Sequence, residues 1–339
     1  MGVRQSLLDF RRCLYYNFRC SYSECEPIAQ ISPRSRNTHG SSLAVLKARH
    51  LFHFLQEAAM ITERELRKGL KTKMFGKKIY AFQTIDSTNN CAKAVANLGG
   101  PEGIVVIAEE QTAGRGRLGR QWLANPNENL TFSLVLRPNV PPEAINQLPL
   151  FVGVALAEAI EKTTAIHAEC KWPNDILLNR KKVAGILVEG SMQQNLVEYV
   201  VVGIGINVNQ TSFPQELASK ATSLRLECRR EIDRATLFRD ILTALEALYQ
   251  QCIKRGFSIM LPLWMQRSSM MNKPIAVSQQ GTVITGIVKG LSKEGGLILH
   301  SNGIDRTLFA GDVTILGEVN ERFVGSTTVA QPSASLPRA

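Results

Sequence analysis

Residues 111–120 read Gln-Thr-Ala-Gly-Arg-Gly-Arg-Leu-Gly-Arg. Gly114, Gly116 and Gly119 are interleaved with Arg115, Arg117 and Arg120. Glycine lets a backbone come close to a ligand. Arginine presents a planar, permanently charged fork that matches carboxylates and phosphates. A loop of this composition suits a polyanion that arrives and leaves. The glycines also fit the G-x-G-x-x-G dinucleotide pattern, but that pattern requires a helix that meets the pyrophosphate directly after the loop. Here a short apolar run, Gly103 to Ala108, precedes the loop. Trp122, Asn125, Pro126 and Asn127 follow it, then the alternation Leu130, Phe132, Leu134, Leu136. That order is strand, loop, strand. A P-loop is excluded too, because no Gly-Lys-Ser/Thr follows at the required spacing.

Three further segments carry chemical residue types. Lys171-Trp172-Pro173-Asn174-Asp175 fits a strand end that turns, since Asn and Asp side chains satisfy nearby backbone amides. Ile176 to Leu178 and Ile186 to Val188 then read as a hairpin turning around Asn179 to Lys181. Lys182 stands at the entrance of the return strand, close to Gly185, where a lysine either points into a cleft or is solvated. Asp86-Ser87-Thr88-Asn89 precedes a helical pattern through Ala92, Val95 and Leu98 that closes at Gly99-Gly100, with Ser87 at the N-cap. Val200 to Asn207 reads as a buried strand in which Gly203 and Gly205 leave room against the sheet.

The elements that must position these residues are mixed. Glu143 to Glu161 reads as a helix interrupted near Pro149. Ala235 to Lys254 is a cleaner one, with Leu237, Ile241, Leu245, Leu248 and Cys252 on one face. From Lys273 to Leu316 the pattern becomes short strands separated by glycine turns, a small all-β module. The fold class is therefore α+β.

Composition narrows the function classes. A chain of 339 residues at 44% hydrophobic is long enough for two or three globular domains. No apolar run reads as a membrane span. The seven scattered cysteines, with no CxxC, fit a reducing cytosol and give no zinc spacing. A net charge of +11 raises nucleic acid as a partner, but the arginine loop and the lysines around 68–78 give anionic cofactors a share of it.

Taken together and in this order, the Gly-Arg-Gly-Arg-x-Gly-Arg loop, Lys-Trp-Pro-Asn-Asp, Lys-x-x-Gly-Ile-Leu-Val-Glu (Lys182 to Glu189) and Gly-Ile-Gly-Ile-Asn (Gly203 to Asn207) resemble the biotin protein ligases. The resemblance covers roughly residues 62 to 317. It implies a mixed sheet backed by helices, similar to class II aminoacyl-tRNA synthetases and to biotin/lipoate ligases, followed by a small β-barrel. It implies a catalytic domain over 60–268 and the barrel over 269–317, while the Ser/Thr/Pro-rich composition of 318–339 reads as a disordered tail.

The implied activity consumes biotin and ATP, with Mg2+ accompanying the nucleotide. It makes biotinyl-5′-AMP and passes biotin to a lysine of a biotin carboxyl carrier protein. Arg115, Arg117, Arg120 and Lys182 supply positive charge, with Lys182 at the carboxylate and α-phosphate oxygens. Asp175 either orients the incoming lysine or stabilises its own turn. Ser87, Thr88 and Gln111 serve the ureido group. Gly185, Gly203 and Gly205 leave room for the rings, with Trp122 as a wall. Asn89, Gly114, Gly116, Lys171, Asn174 and Asn207 complete the expected cofactor-binding set. A homodimer is left open, and a membrane partner is not expected.

Residues 1–59 stand apart. No helix-turn-helix pattern is visible, because Pro33 to Ser42 is breaker-rich where a recognition helix would start. DNA binding is therefore not expected. Met60-Ile-Thr-Glu reads as a natural start, with Thr62 capping a helix. The preceding residues read as a poorly ordered extension or translated upstream sequence. A degenerate winged helix of a biotin-responsive repressor and a targeting segment (transit-like, or myristoylated at Gly2) stay open. For the chain as a whole, a lipoate-type ligase and a catalytically dead interaction protein stay open as well.

Overall fold

The computed structural model describes residues 61–316 except 195 and 280. The readings of residues 1–59 and of the tail from 318 lie outside the described residues.

Helix α1 (Glu63–Arg67) starts as the sequence requires. Thr62 accepts from the Glu65 amide, and Glu65 accepts from the Thr62 amide, a reciprocal capping box. Strand β1 (Ile79–Ile85), helix α2 (Thr88–Asn97), strand β2 (Val105–Gln111) and strand β3 (Leu130–Leu136) follow. Between β2 and β3 lies only a three-residue 3-10 turn, Arg117–Gly119, and the two strands pair antiparallel. The arginine loop is thus a strand–loop–strand connection, as its flanks dictate. A 3-10 segment, Pro142–Gln147, leads into α3 (Leu148–Thr164), so the expected interruption near Pro149 falls at the start of the α-helix.

Next come β4 (Glu169–Lys171), β5 (Asp175–Leu178), β6 (Lys181–Gln193) and β7 (Leu196–Ile206). The β5–β6 hairpin turns on Asn179 and Arg180 alone, both at positive φ (46° and 67°), the backbone of a tight two-residue hairpin loop. The seven strands lie in the order β1-β2-β3-β7-β6-β5-β4. Only β1 and β2 run parallel, so the sheet is mixed.

Helices α4 (Leu224–Cys228), α5 (Arg234–Arg255) and α6 (Leu261–Gln266) follow. The five positions expected on the apolar face of α5 are all buried. Phe238 of α5 packs edge-on against Phe132 of β3, with ring centroids 5.2 Å apart. Helix α3 packs beside α5, and Phe151 meets Tyr249 and Phe257 there. The 23-residue stretch Pro142–Thr164 is long and apolar enough to cross a membrane. Its place against α5 and the sheet shows what the apolar surface serves, since Leu148, Phe151, Val154, Ala155 and Leu156 are all buried in the shared core.

The last strands are β8 (Pro274–Gln279), β9 (Thr282–Leu291), β10 (Leu297–Ser301), β11 (Ile304–Leu308) and β12 (Asp312–Ile315). They form an antiparallel sheet in the order β11-β10-β9-β8-β12. The two edge strands do not pair with each other, so the module is an open sheet rather than the closed barrel expected. Strand periodicity is the same in both. Closure depends on whether first and last strands meet, which local pattern does not encode.

Residues 73–75 are tied to α5 by one carboxylate. Buried Glu246 accepts the backbone amides of Lys73, Met74 and Phe75 at 2.6–2.7 Å. Glu246→Ala leaves these donors without their acceptor and should destabilise the protein by roughly 3 kcal/mol. Urea unfolding checks this, and an unchanged midpoint would show the loop is held by other contacts.

Candidate active site

Strand register draws one row of residues across the sheet. Lys171 (β4), Asp175 (β5), Gly185 (β6), Gly205 (β7), Thr131 (β3) and Ala108 (β2) are successive pairing partners. A second row, two residues on, contains Leu187, Gly203, Ser133 and Val106. Alternate residues of a strand share a face. Phe132 faces α5, so both rows look to the other side. There they floor a cleft of about 970 Å³, the size of a small-molecule site. Helix α2, the arginine loop, residues 210–221 and β12 make its walls.

Lys182 reaches this floor because of a bulge. Pairing shifts between Ile176 and Leu177, so that Val183 is skipped and Lys182 faces Leu177. A bulge re-aims side chains, and here it turns Lys182 onto the face of Asp175. Its Nζ lies 2.7 Å from Asp175 Oδ1 and 5.7 Å from the centre of a Trp122 ring. Backbone bonds to the Lys220 carbonyl and from the Thr222 amide hold the same residue.

The three arginines go to three different walls. Arg115 donates to Asn90 Oδ1 of α2 at 2.6 Å. Arg117 donates to Asn174 Oδ1 at 3.3 Å, and Asn174 in turn donates to the Ile186 carbonyl of β6. Arg120 pairs with Asp312 at the start of β12. Burial lowers the Arg117 pKa from its ordinary value, while the charges of Asp312 and Asp175 oppose that shift. An incoming anion therefore competes with carboxylates and amides already on these cations.

The glycines on β7 leave room that two side chains enter. A Cβ on Gly205 would lie 2.3 Å from Trp122 Cε2, and one on Gly203 would lie 2.3 Å from Asn89 Oδ1. The room at these positions is taken by the indole and by the Asn89 amide. At Gly185 a Cβ would meet Lys182 and Trp122 at 3.2 Å. The physical rule was sound, since strand glycine marks a close approach, but the approaching groups belong to the protein. Trp122 rests on the floor at Gly205 and Gly185, and its Nε1 is buried with no hydrogen-bond partner among the described residues.

The polar residues of α2 stand at the far end. Ser87 occupies the N-cap position but makes no capping bond with its side chain, and it lines the cleft. Gln111 Oε1 accepts from the Thr88 amide and lies 3.0 Å from Thr88 Oγ1. Asn207 is spent on structure, donating to the Thr222 carbonyl at 3.0 Å. Gly116 lines the cleft, while Gly114 sits behind it against the Trp122 carbonyl and Gln111. Lys171 lines the cleft beside Asp175.

Sequence reasoning missed Ser133, Glu189, Asn90 and Asp312, each in contact with an expected residue, and Lys93, which pairs with Glu189. Asp312 lies 192 positions from Arg120, and no local pattern reports such a contact. Glu189 and Ser133 carried a signal, as polar residues inside apolar strands. Among the described residues, no group of three or more His, Cys, Asp and Glu is arranged to hold a metal ion.

The comparisons place this geometry in a class. The model of the biotin/lipoate A/B protein ligase family matches residues 81–207, from β1 through the turn after β7. The bifunctional ligase/repressor BirA of Bacillus subtilis is 35% identical over 266 residues, covering 78% of this chain and 82% of that protein. The biotin–[acetyl-CoA-carboxylase] ligase of Paracoccus denitrificans is 36% identical over 236 residues, covering 67% of this chain and 96% of that protein. Among solved structures, biotin protein ligase from Aquifex aeolicus in complex with biotin and ATP superposes with a TM-score of 0.60 at 29% identity. It covers 70% of this chain and 98% of that one. The chain belongs to the biotin protein ligase family.

Gly205→Val tests the floor. The added side chain collides with Trp122, and overpacking of this kind costs about 1–3 kcal/mol. Tryptophan emission should shift to the red as the indole is forced toward water. Parental emission from a folded variant would mean that the indole does not rest on Gly205.

Proposed function

We propose that this biotin ligase binds biotin and ATP in the cleft over the Gly185–Gly205 row. There it forms biotinyl-5′-AMP and transfers the biotinyl group to a lysine of a biotin carboxyl carrier protein. The observation that carries this reading is the convergence of Lys182, Arg117 and Arg120 on one end of a glycine-floored cleft whose other end presents Ser87, Thr88 and Gln111. A bicyclic urea with an apolar tail and a carboxylate matches that polarity.

In the first step a biotin carboxylate oxygen attacks the α-phosphorus. The bond from that phosphorus to the bridging oxygen breaks, and pyrophosphate leaves. Two anions must meet, so fixed positive charge facing the reacting oxygens lowers the barrier. Lys182 has that role, because it is anchored on a strand by backbone bonds while the arginines ride on a loop. Arg117, half-buried, shields the anhydride and helps to retain it. Arg115 and Arg120 close the loop over the cleft. Trp122 must leave the floor or become one side of the bound ligand.

In the second step the carrier amine attacks the acyl carbon and AMP departs. Asp175 accepts hydrogen bonds from the incoming amine once the adenylate has drawn Lys182 away. Mg2+ takes few protein carboxylates and prefers to share phosphate oxygens. Asp175 and Asp312 line the same cleft and are the carboxylates that could share such an ion once Lys182 and Arg120 turn to the phosphates. Such an ion would neutralise phosphate charge.

At finer grain, we read residues 60–268 as the catalytic domain, similar in plan to class II aminoacyl-tRNA synthetases, and 269–317 as a small open-sheet module that supplies Asp312. We place the enzyme in the cytosol.

The test is incubation with biotin, ATP, Mg2+ and a carrier domain, read by intact mass. One added biotinyl group on one lysine supports the reading, and its absence overturns it. Lys182→Ala should slow ATP–pyrophosphate exchange by roughly 100- to 1000-fold. Exchange at the parental rate would remove Lys182 from the chemistry.

A further inference from the structure

We propose that Glu189 is a positioning residue for biotin. Through Asn89 it fixes the donor–acceptor direction of the hydrogen-bond chain that meets the ligand's polar head. This rests on the biotin reading above.

Glu189 stands on β6 just beyond the cleft floor. It accepts from Asn89 Nδ2 at 2.6 Å and pairs with Lys93, and Arg115 NH2 lies 4.0 Å away. Burial alone would raise its pKa. The hydrogen bonds from Lys93 and Asn89, with the charges of Lys93 and Arg115, outweigh burial and hold it below the ordinary carboxylate value. The group is therefore ionised at neutral pH, and an ionised carboxylate only accepts.

That single fact propagates. Asn89 must turn its NH2 to Glu189, which leaves its Oδ1 toward Ser133 Oγ at 2.6 Å. Ser133 is fully buried and has one proton, which it must give to Asn89 Oδ1, because an amide oxygen cannot donate. Ser133 then cannot donate to Thr88 Oγ1, 2.8 Å away. The one Thr88 proton is claimed within the protein, by Gln111 Oε1 or by Ser133 Oγ. Thr88 Oγ1 thus meets the cleft as an acceptor. Gln111 Oε1 is already engaged by the Thr88 amide, so any bond that Gln111 makes to the ligand is donated by its NH2. An acceptor beside a donor is the complement of the N–H and C=O of a cyclic urea. Gly203 permits the arrangement, since any side chain there would displace the Asn89 amide.

With a neutral amide at position 189, Asn89 is free to flip. Its NH2 would then serve Ser133, and the Ser133 proton would compete with the ligand for the lone pairs of Thr88 Oγ1. The direction of the whole chain reverses.

The experiment is steady-state kinetics of the full chain and of Glu189→Gln, Glu189→Gln combined with Ser133→Ala, and Lys93→Met, with Tm as the folding control. Losing one ligand hydrogen bond corresponds to roughly a tenfold change. Glu189→Gln should raise KM for biotin about tenfold, with KM for ATP and kcat within about twofold of the parent, and adding Ser133→Ala to it should relieve the rise, because the relay then no longer reaches Thr88. Lys93→Met removes the ion pair but keeps a carboxylate on Asn89, so its KM for biotin, measured at about pH 8 where that carboxylate is ionised without the lysine, should stay near the parental value. Three results would overturn the inference. One is a parental KM for biotin in folded Glu189→Gln. Another is a Lys93→Met variant that matches it, which would make the ion pair the cause. The third is an equal rise in KM for ATP, which would place the effect in Arg115 and the loop. Failure of the biotin reading itself is distinct, because the parent would then form no biotin-dependent adenylate.

Discussion

Everything in the cleft depends on close approach to the backbone of β7. At Gly203 and Gly205 the strand carries no side chain, and an amide from α2 and an indole from the arginine loop rest directly on it. A Cβ at either place would push these groups out by more than an ångström. The contact ties a loop and a helix to a sheet whose opposite face is the hydrophobic core. The site is thus held from behind by packing and from the front by two close contacts. That is how a glycine-rich loop acquires a defined resting position.

Charge is arranged in the same spirit. Lys182 rests on Asp175, Arg117 on Asn174 and Arg120 on Asp312. Contacts this open to solvent at one side contribute little to stability, so their value lies in where they leave the cations. Each cation can exchange a weak partner for a phosphate or carboxylate without a large rearrangement. The buried pair Arg234–Glu109 is of another type. Glu109 also accepts the amides of Ile61 and Asn127, and Arg234 donates to the Asn129 carbonyl. It fastens the exit of the arginine loop to the start of α5, from the core side of the sheet.

Much of this was legible in the sequence, for identifiable reasons. The strand–loop–strand reading of residues 103–136 held because Trp122 to Asn127 offered no helical period. The hairpin around Asn179 held because short polar turns between apolar triplets have few alternatives. The face of α5 followed from its 3.6-residue period. What was not legible depends on register. Spacing alone left Lys182 open between cleft and solvent, and only the family resemblance put it at the chemistry, since a bulge at Val183 leaves no mark in residue types. The glycines of β7 announced a close approach but not by what. Asp312 and Glu189 act across distances that only the folded sheet creates. The open sheet of the last module differs from a barrel in one pairing, between its edge strands.

The central claim is that the row from Asp175 through Gly185 to Gly205 is where the adenylate is made and held. A crystal structure of the chain grown with biotin, ATP and Mg2+ tests it directly. Biotinyl-5′-AMP should lie along that row, with its urea at Thr88 and Gln111. Lys182 Nζ should sit about 3 Å from an α-phosphate oxygen, with its bond to Asp175 exchanged. An adenylate bound elsewhere, or one in the cleft with Lys182 still on Asp175, would contradict the account.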